Sequence, residues 1–370
     1  MSNETASTNG IPRTSPHTKT PKHTEKHADA HKAPTLLLGI DLGTSRTAVA
    51  SNTGHRLGVS TYVGKPKDAV SEKLFGKRLL FGDEALENRM AVELIRPLKD
   101  GVIHTSPEGK DGNVEAVGAL LRHVVSLISP LGSDVIYGVI GMPARASIEN
   151  KKLLINAVRD IFDAVMIVSE PFCVAYGLDI LTDALILDIG AGTMDLCRMH
   201  GSLPTEEDQV TINKAGDAID AALFALLREK YPEAQFTINM VKVLKENHGY
   251  VSDKEEKIEV EFTVDGRPRR FDITQQLKKA CLTIIPDLTK AVYQLIGSFD
   301  PEFQTRLRDN VLVCGGGSQL VGLRGLVERA LDELGGGRVT IVDEPIYAGA
   351  NGALKIAAEM PASFWEHLKD

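Results

Sequence analysis

The chain has 370 residues, too many for one ordinary core and about right for two packed domains. Its 43% hydrophobic and 25% charged content is that of a globular protein rather than a disordered one. Net charge is −8; residues 1–34 carry five basic and three acidic side chains, so that tail is +2 and the rest −10. An acidic body argues against nucleic acid as a partner, because phosphate backbones demand a basic face.

No apolar run approaches the roughly 20 residues of a membrane span, and the N-terminus lacks the charged-then-apolar order of a secretory signal. Cys173, Cys197, Cys281 and Cys314 are scattered, with no C-x-x-C pair. They read as reduced, packed thiols, so a cytoplasmic location is expected. Residues 1–34 are rich in Thr, Pro, His, Lys and Ser and read as a disordered tail. His17, His23, His27 and His31 could hold a metal weakly, though a solvated tail is the plainer reading.

From Thr35 onward apolar runs alternate with helical patterns. Strands are predicted at Leu36–Leu42, Thr47–Ser51, Val135–Gly141, Val165–Ser169, Ala184–Ile189, Val311–Cys314 and Val339–Val342. Helical periodicity over 114–129 puts Val114, Val117, Leu121, Val124 and Ile128 on one face. Ser147 reads as the N-cap of a helix running to about Phe162. Further helices are predicted over 217–230, 274–297 with a kink at Pro286, 320–334 and 346–359. The alternation means α/β architecture. Residues 62–104 and about 217–275 break the rhythm as inserted smaller subdomains would, and the polar Ser252–Glu261 reads as a solvated face.

Three glycine-rich turns follow apolar runs. The first is Gly39-Ile40-Asp41-Leu42-Gly43-Thr44-Ser45-Arg46-Thr47, and the second Leu187-Asp188-Ile189-Gly190-Ala191-Gly192-Thr193-Met194-Asp195. Both read as strand, acid, glycine, threonine and strand again: a tight hairpin whose amides can point into a phosphate. A carboxylate beside phosphates needs a cation between, so Asp41 and Asp188 imply Mg²⁺, held through its waters. Either hairpin alone is ordinary turn punctuation, but the matched pair suggests a duplicated domain clasping a phosphorylated ligand. The third turn, Cys314-Gly315-Gly316-Gly317-Ser318 before a helix, offers a backbone surface for a flat base, or is simply a strand-to-helix turn. In Ser169-Glu170-Pro171, Pro171 suits the first position of a helix and Glu170 falls at a strand-to-helix junction. There Glu170 either aims water at a γ-phosphate or caps the helix against its dipole.

The order Asp41-x-Gly-Thr, Glu170-Pro, Asp188-x-Gly-x-Gly-Thr and Gly315-Gly-Gly resembles the actin, heat-shock chaperone and sugar-kinase superfamily. Its five motifs would fall at 39–47, 137–150 (the first connecting helix), 187–195, 313–318 and 345–354. Within it the chain resembles the bacterial actins: MreB in length and in Ser-Glu-Pro before a helix, and still more the actin-like proteins of magnetosome-forming bacteria, through 188–196 and 244–251.

That resemblance implies the actin-like fold, two related α/β lobes each with an inserted smaller subdomain and a nucleotide in the cleft. Lobe I would comprise 35–61, 105–175 and 343–370 with subdomain IB at 62–104. Lobe II would comprise 176–216 and 276–342 with subdomain IIB at 217–275. It implies ATP or ADP with Mg²⁺ as ligands and ATP hydrolysis as the activity. Gly43, Thr44, Ser45, Gly190, Ala191, Gly192 and Thr193 would cradle phosphates. Asp41 and Asp188 would hold hydrated Mg²⁺, and Glu170 would position water. Lys245 and Glu246 would contact adenosine, though they also read as an exposed ion pair on a helix. Gly315, Gly316, Gly317 and Ser318 would line the adenine pocket. The implied partners are copies of the chain itself, stacked head to tail into a cytoplasmic filament, and an organelle-associated adaptor linking it to magnetosome membranes without direct membrane insertion. A small-molecule kinase of the same fold and a non-polymerising chaperone-like ATPase are the alternatives.

Overall fold

The structure, a computed structural model, describes residues 35–105, 112–128, 135–253 and 256–369. The expected tail over 1–34, with its four histidines, lies outside these residues.

The chain opens with β1 (Thr35–Leu42), β2 (Arg46–Ser51) and β3 (Arg56–Ser60), an antiparallel meander. A small sheet comes next: β4 (Val63–Pro66), β5 (Leu80–Phe81) and β6 (Val92–Ile95), with helices α1 (Ala69–Phe75) and α2 (Gly82–Glu87). A short hairpin of β7 (Leu98–Lys99) and β8 (Val102–Ile103) leads to α3 (Gly112–Ile128). Then come β9 (Val135–Met142), α4 (Ile148–Val158), β10 (Ala164–Ser169) and α5 (Glu170–Gly177). The first sheet has the order β10-β9-β1-β2-β3.

The pattern then repeats. β11 (Ala184–Ile189) and β12 (Met194–Met199) make a second hairpin, and β13 (Gln209–Ile212) adds to it. Beyond it lie helices α6 (Gly216–Lys230) and α7 (Ile238–His248), the hairpin β14 (Glu259–Val264) and β15 (Arg267–Asp272), and helices α8 (Thr274–Cys281), α9 (Ile285–Gly297) and α10 (Gln304–Arg308). β16 (Val311–Cys314), α11 (Leu323–Asp332), β17 (Val339–Ile341), α12 (Ala348–Glu359) and α13 (Ala362–His367) complete the chain. The second sheet has the order β13-β12-β11-β16-β17. In both sheets a central strand is antiparallel to the strand after it and parallel to the strand on its other side. The two are topological copies.

The near-continuous apolar runs of β1 and β11 reflect cover on both faces. One face of the first sheet packs Leu38, Ile40 and Val49 on Val117, Leu121, Val124 and Leu154 of α3 and α4. Its other face packs Tyr137 and Val139 on Cys173, Ala353, Ile356 and Trp365. On the second sheet Ile186, Cys197 and Cys314 pack against Val174, Ala175 and Ala348. Helices α5 and α12 therefore lie between the two sheets and are shared by both cores. Their backbones cross closely: a Cβ at Gly352 would overlap the Cys173 carbonyl oxygen.

Some sequence expectations are corrected. The connecting helix expected over 137–150 is strand β9 and then a loop; Ser147 does cap α4, accepting from the Asn150 N–H at 3.2 Å. The crossing between sheets is made by α5 instead, because its small residues permit the contact. The helix expected over 274–297 breaks into α8, a 3-10 turn at Leu282–Ile284 and α9, since Pro286 has no N–H to continue the ladder. The helix expected from 320 starts at Leu323. The end of the supposed solvated face, Glu259–Glu261, opens a hairpin with buried Val260, Phe262 and Val264.

Candidate functional site

The first hairpin turns between β1 and β2, with Asp41 opposite Ala48. Its tip is tied down by neighbours. Thr61 Oγ1 donates to the Gly43 carbonyl at 2.8 Å, and the Thr61 N–H donates to the Ser45 carbonyl at 3.0 Å. Buried Thr44 accepts the Gly101 N–H on Oγ1 at 2.7 Å. Ser45 Oγ accepts from Lys242 Nζ of α7, on the far side of the cleft.

The second hairpin places Asp188 opposite Asp195. The Gly190 N–H closes its turn on the Thr193 carbonyl at 2.9 Å. The start of α6 leans on the same turn: the Asp217 N–H donates to the Ala191 carbonyl at 2.7 Å. Gly315, at φ 75°, sits so close that a Cβ there would strike Asp188 Oδ1.

Asp41, Glu170, Asp188 and Asp195 meet where the two hairpins face each other. Burial, and after it the charge of Asp195, pushes Asp41 from 3.8 up to about 7. Burial and then the charges of Asp41, Asp195 and Asp188 hold Glu170 well above the usual carboxylate range. Asp188 is raised likewise by burial, Asp41 and Asp195, partly relieved by the neighbouring Cys314 thiol, whose Sγ lies 3.6 Å from the Leu187 carbonyl oxygen. Asp195 is raised by burial but steadied by the Thr211 hydroxyl at 2.6 Å and the Ala144 N–H at 2.8 Å. Buried carboxylates that repel one another are what a divalent cation relieves. Among the described residues no group of three His, Cys, Asp or Glu side chains is arranged to hold a metal alone. These carboxylates would suit a divalent cation such as Mg²⁺ only if other ligands, water among them, completed its shell.

Above these acids opens a cavity of about 370 Å³. Of the residues singled out in the sequence, Asp41, Gly43, Thr44, Ser45, Glu170, Asp188, Gly190, Ala191, Gly192, Thr193, Lys245, Glu246, Gly315, Gly316 and Gly317 line it. Ser318 does not. Its hydroxyl is turned back to donate to the Gly315 carbonyl at 2.7 Å, and Gln319 and Leu320 reach the wall instead. Lys245 and Glu246 do not pair, since adjacent helical residues do not face each other. The Lys245 side chain, only 12% exposed, bonds Asp220 at 2.9 Å and the Gly216 carbonyl at 3.1 Å. Sequence reasoning missed Arg46, Gly101, Asp217, Lys242, Ile284 and Ile346 in the wall, and Asp195 behind it. Of these only Asp195 had a visible signal, because it closes the second hairpin where the first has Ala48.

Two copied sheets, two phosphate-type hairpins and helices crossing between them define an actin-like protein. Residues 35–363 match the MreB/Mbl protein family, and the chain belongs to it. It is 42% identical to the actin-like protein MamK of Paramagnetospirillum magneticum over 335 residues, covering 90% of this chain and 96% of the relative. The MamK-like protein of the same organism is 32% identical, covering 90% and 97%. Among solved structures the chain is similar to a MamK double helical filament, with TM-score 0.85 and 41% identity over 88% of this chain and all of that one. A non-polymerising MamK mutant bound to AMPPNP matches with TM-score 0.67 and 41% identity over the same shares. MreB5 of Spiroplasma citri, at 19% identity and TM-score 0.74 over 90% and 99%, shows the shared fold.

Proposed function

We propose that the chain is an ATP-binding, ATP-hydrolysing actin homologue that polymerises head to tail into a dynamic cytoplasmic filament. The observation that carries this reading is the meeting of Asp41 and Asp188, from two separate sheets, with Glu170 at the start of α5, around one cavity. A triphosphate there would lie against the amides of 43–45 and 190–193, with its base toward Gly315–Gly317, Lys245 and Glu246. Asp41 and Asp188 would hold Mg²⁺, which neutralises phosphate charge when bound. Glu170, deprotonated, would accept a hydrogen bond from water and aim it in line with the γ-phosphate; phosphoryl transfer depends chiefly on such positioning.

Binding would draw together two lobes with subdomains at 62–104 and 217–275, favouring a heterologous contact that repeats without closing. The similarity to MamK, one structure of which is described as a double helical filament and another as binding AMPPNP, supports both assembly and the nucleotide. The same similarity is consistent with a role in positioning magnetosomes, for which the filament would act through an adaptor protein. Among the described residues no helix is long and apolar enough to cross a membrane.

The test is sedimentation with MgATP, where polymer should pellet and ADP should accumulate. Protein that stays in the supernatant across salt and protein concentration rules the filament out. A fluorescently tagged chain that ignores the position of magnetosomes rules out the organelle role.

A further inference from the structure

Arg96 lies between β6 and β7, outside both phosphate hairpins, yet its guanidinium joins the surroundings of both. Nη2 donates to both carboxylate oxygens of Asp217, at 2.9 and 2.7 Å. Nε donates to the carbonyl of Thr44, at the tip of the first hairpin, at 3.3 Å. Asp217 in turn donates its N–H to Ala191, at the tip of the second. A continuous run of bonds, Thr44 to Arg96 to Asp217 to Ala191, thus spans the cleft, and Thr44, Asp217 and Ala191 of it line the cavity.

The pair is about one-third exposed on each side, so it sits at the rim rather than in the core. Burial works against the Arg96 charge, but Asp217 more than offsets this and holds its proton more tightly than usual. Lys242, reaching Ser45 from α7, crosses the same cleft from the opposite side.

We propose that Arg96 is a positioning residue for the nucleotide reaction. It fixes the spacing of the two hairpins and, by holding the wall closed, limits how fast nucleotide leaves. The inference rests on the nucleotide reading of the cavity. A guanidinium suits this task because Nη2 can serve the Asp217 carboxylate while Nε, fixed in the same plane, donates to the Thr44 carbonyl. Lysine would supply a point charge and lose that geometry. Nothing here touches the reacting phosphate, so the effect should fall on retention first.

The experiment is stopped-flow release of a fluorescent ATP analogue, chased with excess MgATP, alongside melting of the nucleotide-free chain. Arg96→Ala and Asp217→Asn should each speed release by about tenfold or more, a change of about 1.4 kcal/mol. Arg96→Lys should fall between them and the unchanged protein. The double exchange Arg96→Asp with Asp217→Arg should recover part of the retention, because the pair re-forms but the Thr44 contact does not. Release at the unchanged rate from both single variants overturns the proposal. So does a lowered melting temperature with no recovery in the exchange, which would make Arg96 a plain brace. An unsubstituted chain that takes up no nucleotide overturns the cavity reading as well, so the two failures are distinguishable.

Discussion

The two hairpins look interchangeable in sequence, and the structure shows that they are not. In the first, Asp41 faces Ala48, and the tip is held by two cations, Lys242 reaching Ser45 from across the cleft and Arg96 reaching Thr44 from the same side. In the second, Asp188 faces Asp195, which reaches the other way and accepts the Ala144 N–H. One hairpin receives cations and the other supplies an additional acid. The difference shows how a duplicated unit divides its work. Both copies keep the glycine turn, while the acid at the hairpin's second strand is present in one copy only.

Substitutions can break that division or sharpen it. The largest effect is expected for Glu170→Ala, which removes the carboxylate standing between the hairpins. Phosphate release should fall by about a hundredfold or more, some 3 kcal/mol in barrier, while MgATP-driven pelleting persists; undiminished release would end its role as the water-positioning group. Next is Ala48→Asp, which would make the first hairpin copy the second without Asp195's supporting hydrogen bonds. Ala48 is buried among Ala50, Ala350, Tyr347 and Leu354, so the nucleotide-free chain should lose about 2–4 kcal/mol. Chemical denaturation at pH 8 measures the loss, and part of it should return at pH 5.

The acid cluster also sets a pH dependence. Asp41 binds its proton more tightly folded (about 7) than unfolded (3.8). The nucleotide-free chain is therefore most stabilised by this group below about pH 4, and loses that stability as pH rises toward 7. A shift of that size corresponds to a decline of about 4 kcal/mol at most, and Asp41→Asn should flatten it. MgATP should flatten it too, by giving the carboxylates a cation. Melting curves that rise between pH 5 and 7 without ligand contradict this account of the cluster. The smallest effect is expected for Cys314→Ala, which removes the thiol from Asp188. It should shift Mg²⁺ dependence of nucleotide binding by about 0.5–1 kcal/mol, in line with one neutral hydrogen bond.

Much of the fold was legible along the chain because strands and helices write their periods into it. Val114 to Ile128 marks α3, Ser147 marks the start of α4, and Leu36–Leu42 and Ala184–Ile189 mark the central strands by their unbroken apolar character. The two hairpins could be read because an acid followed by glycine and threonine between apolar runs recurs in register. The break at Pro286 was visible only as a kink, since a proline removes one bond locally while packing decides how the chain runs beyond it. The hairpin Glu259–Asp272 was hidden because its exposed residues, including Arg267, Arg269 and Arg270, outnumber the buried ones.

The sequence by itself determined the alternation of elements, the duplicated Asp-Gly-Thr turns and the helix start at Glu170-Pro171, all of which are contests among near neighbours in the chain. Tertiary structure alone decided that α5 crosses α12 between the sheets, that Ser318 turns inward, that Lys245 pairs with Asp220 rather than its neighbour, and that Arg96 reaches Asp217. Those outcomes join residues far apart in sequence. No local propensity encodes such a meeting; burial and charge select it only after the two sheets have come together.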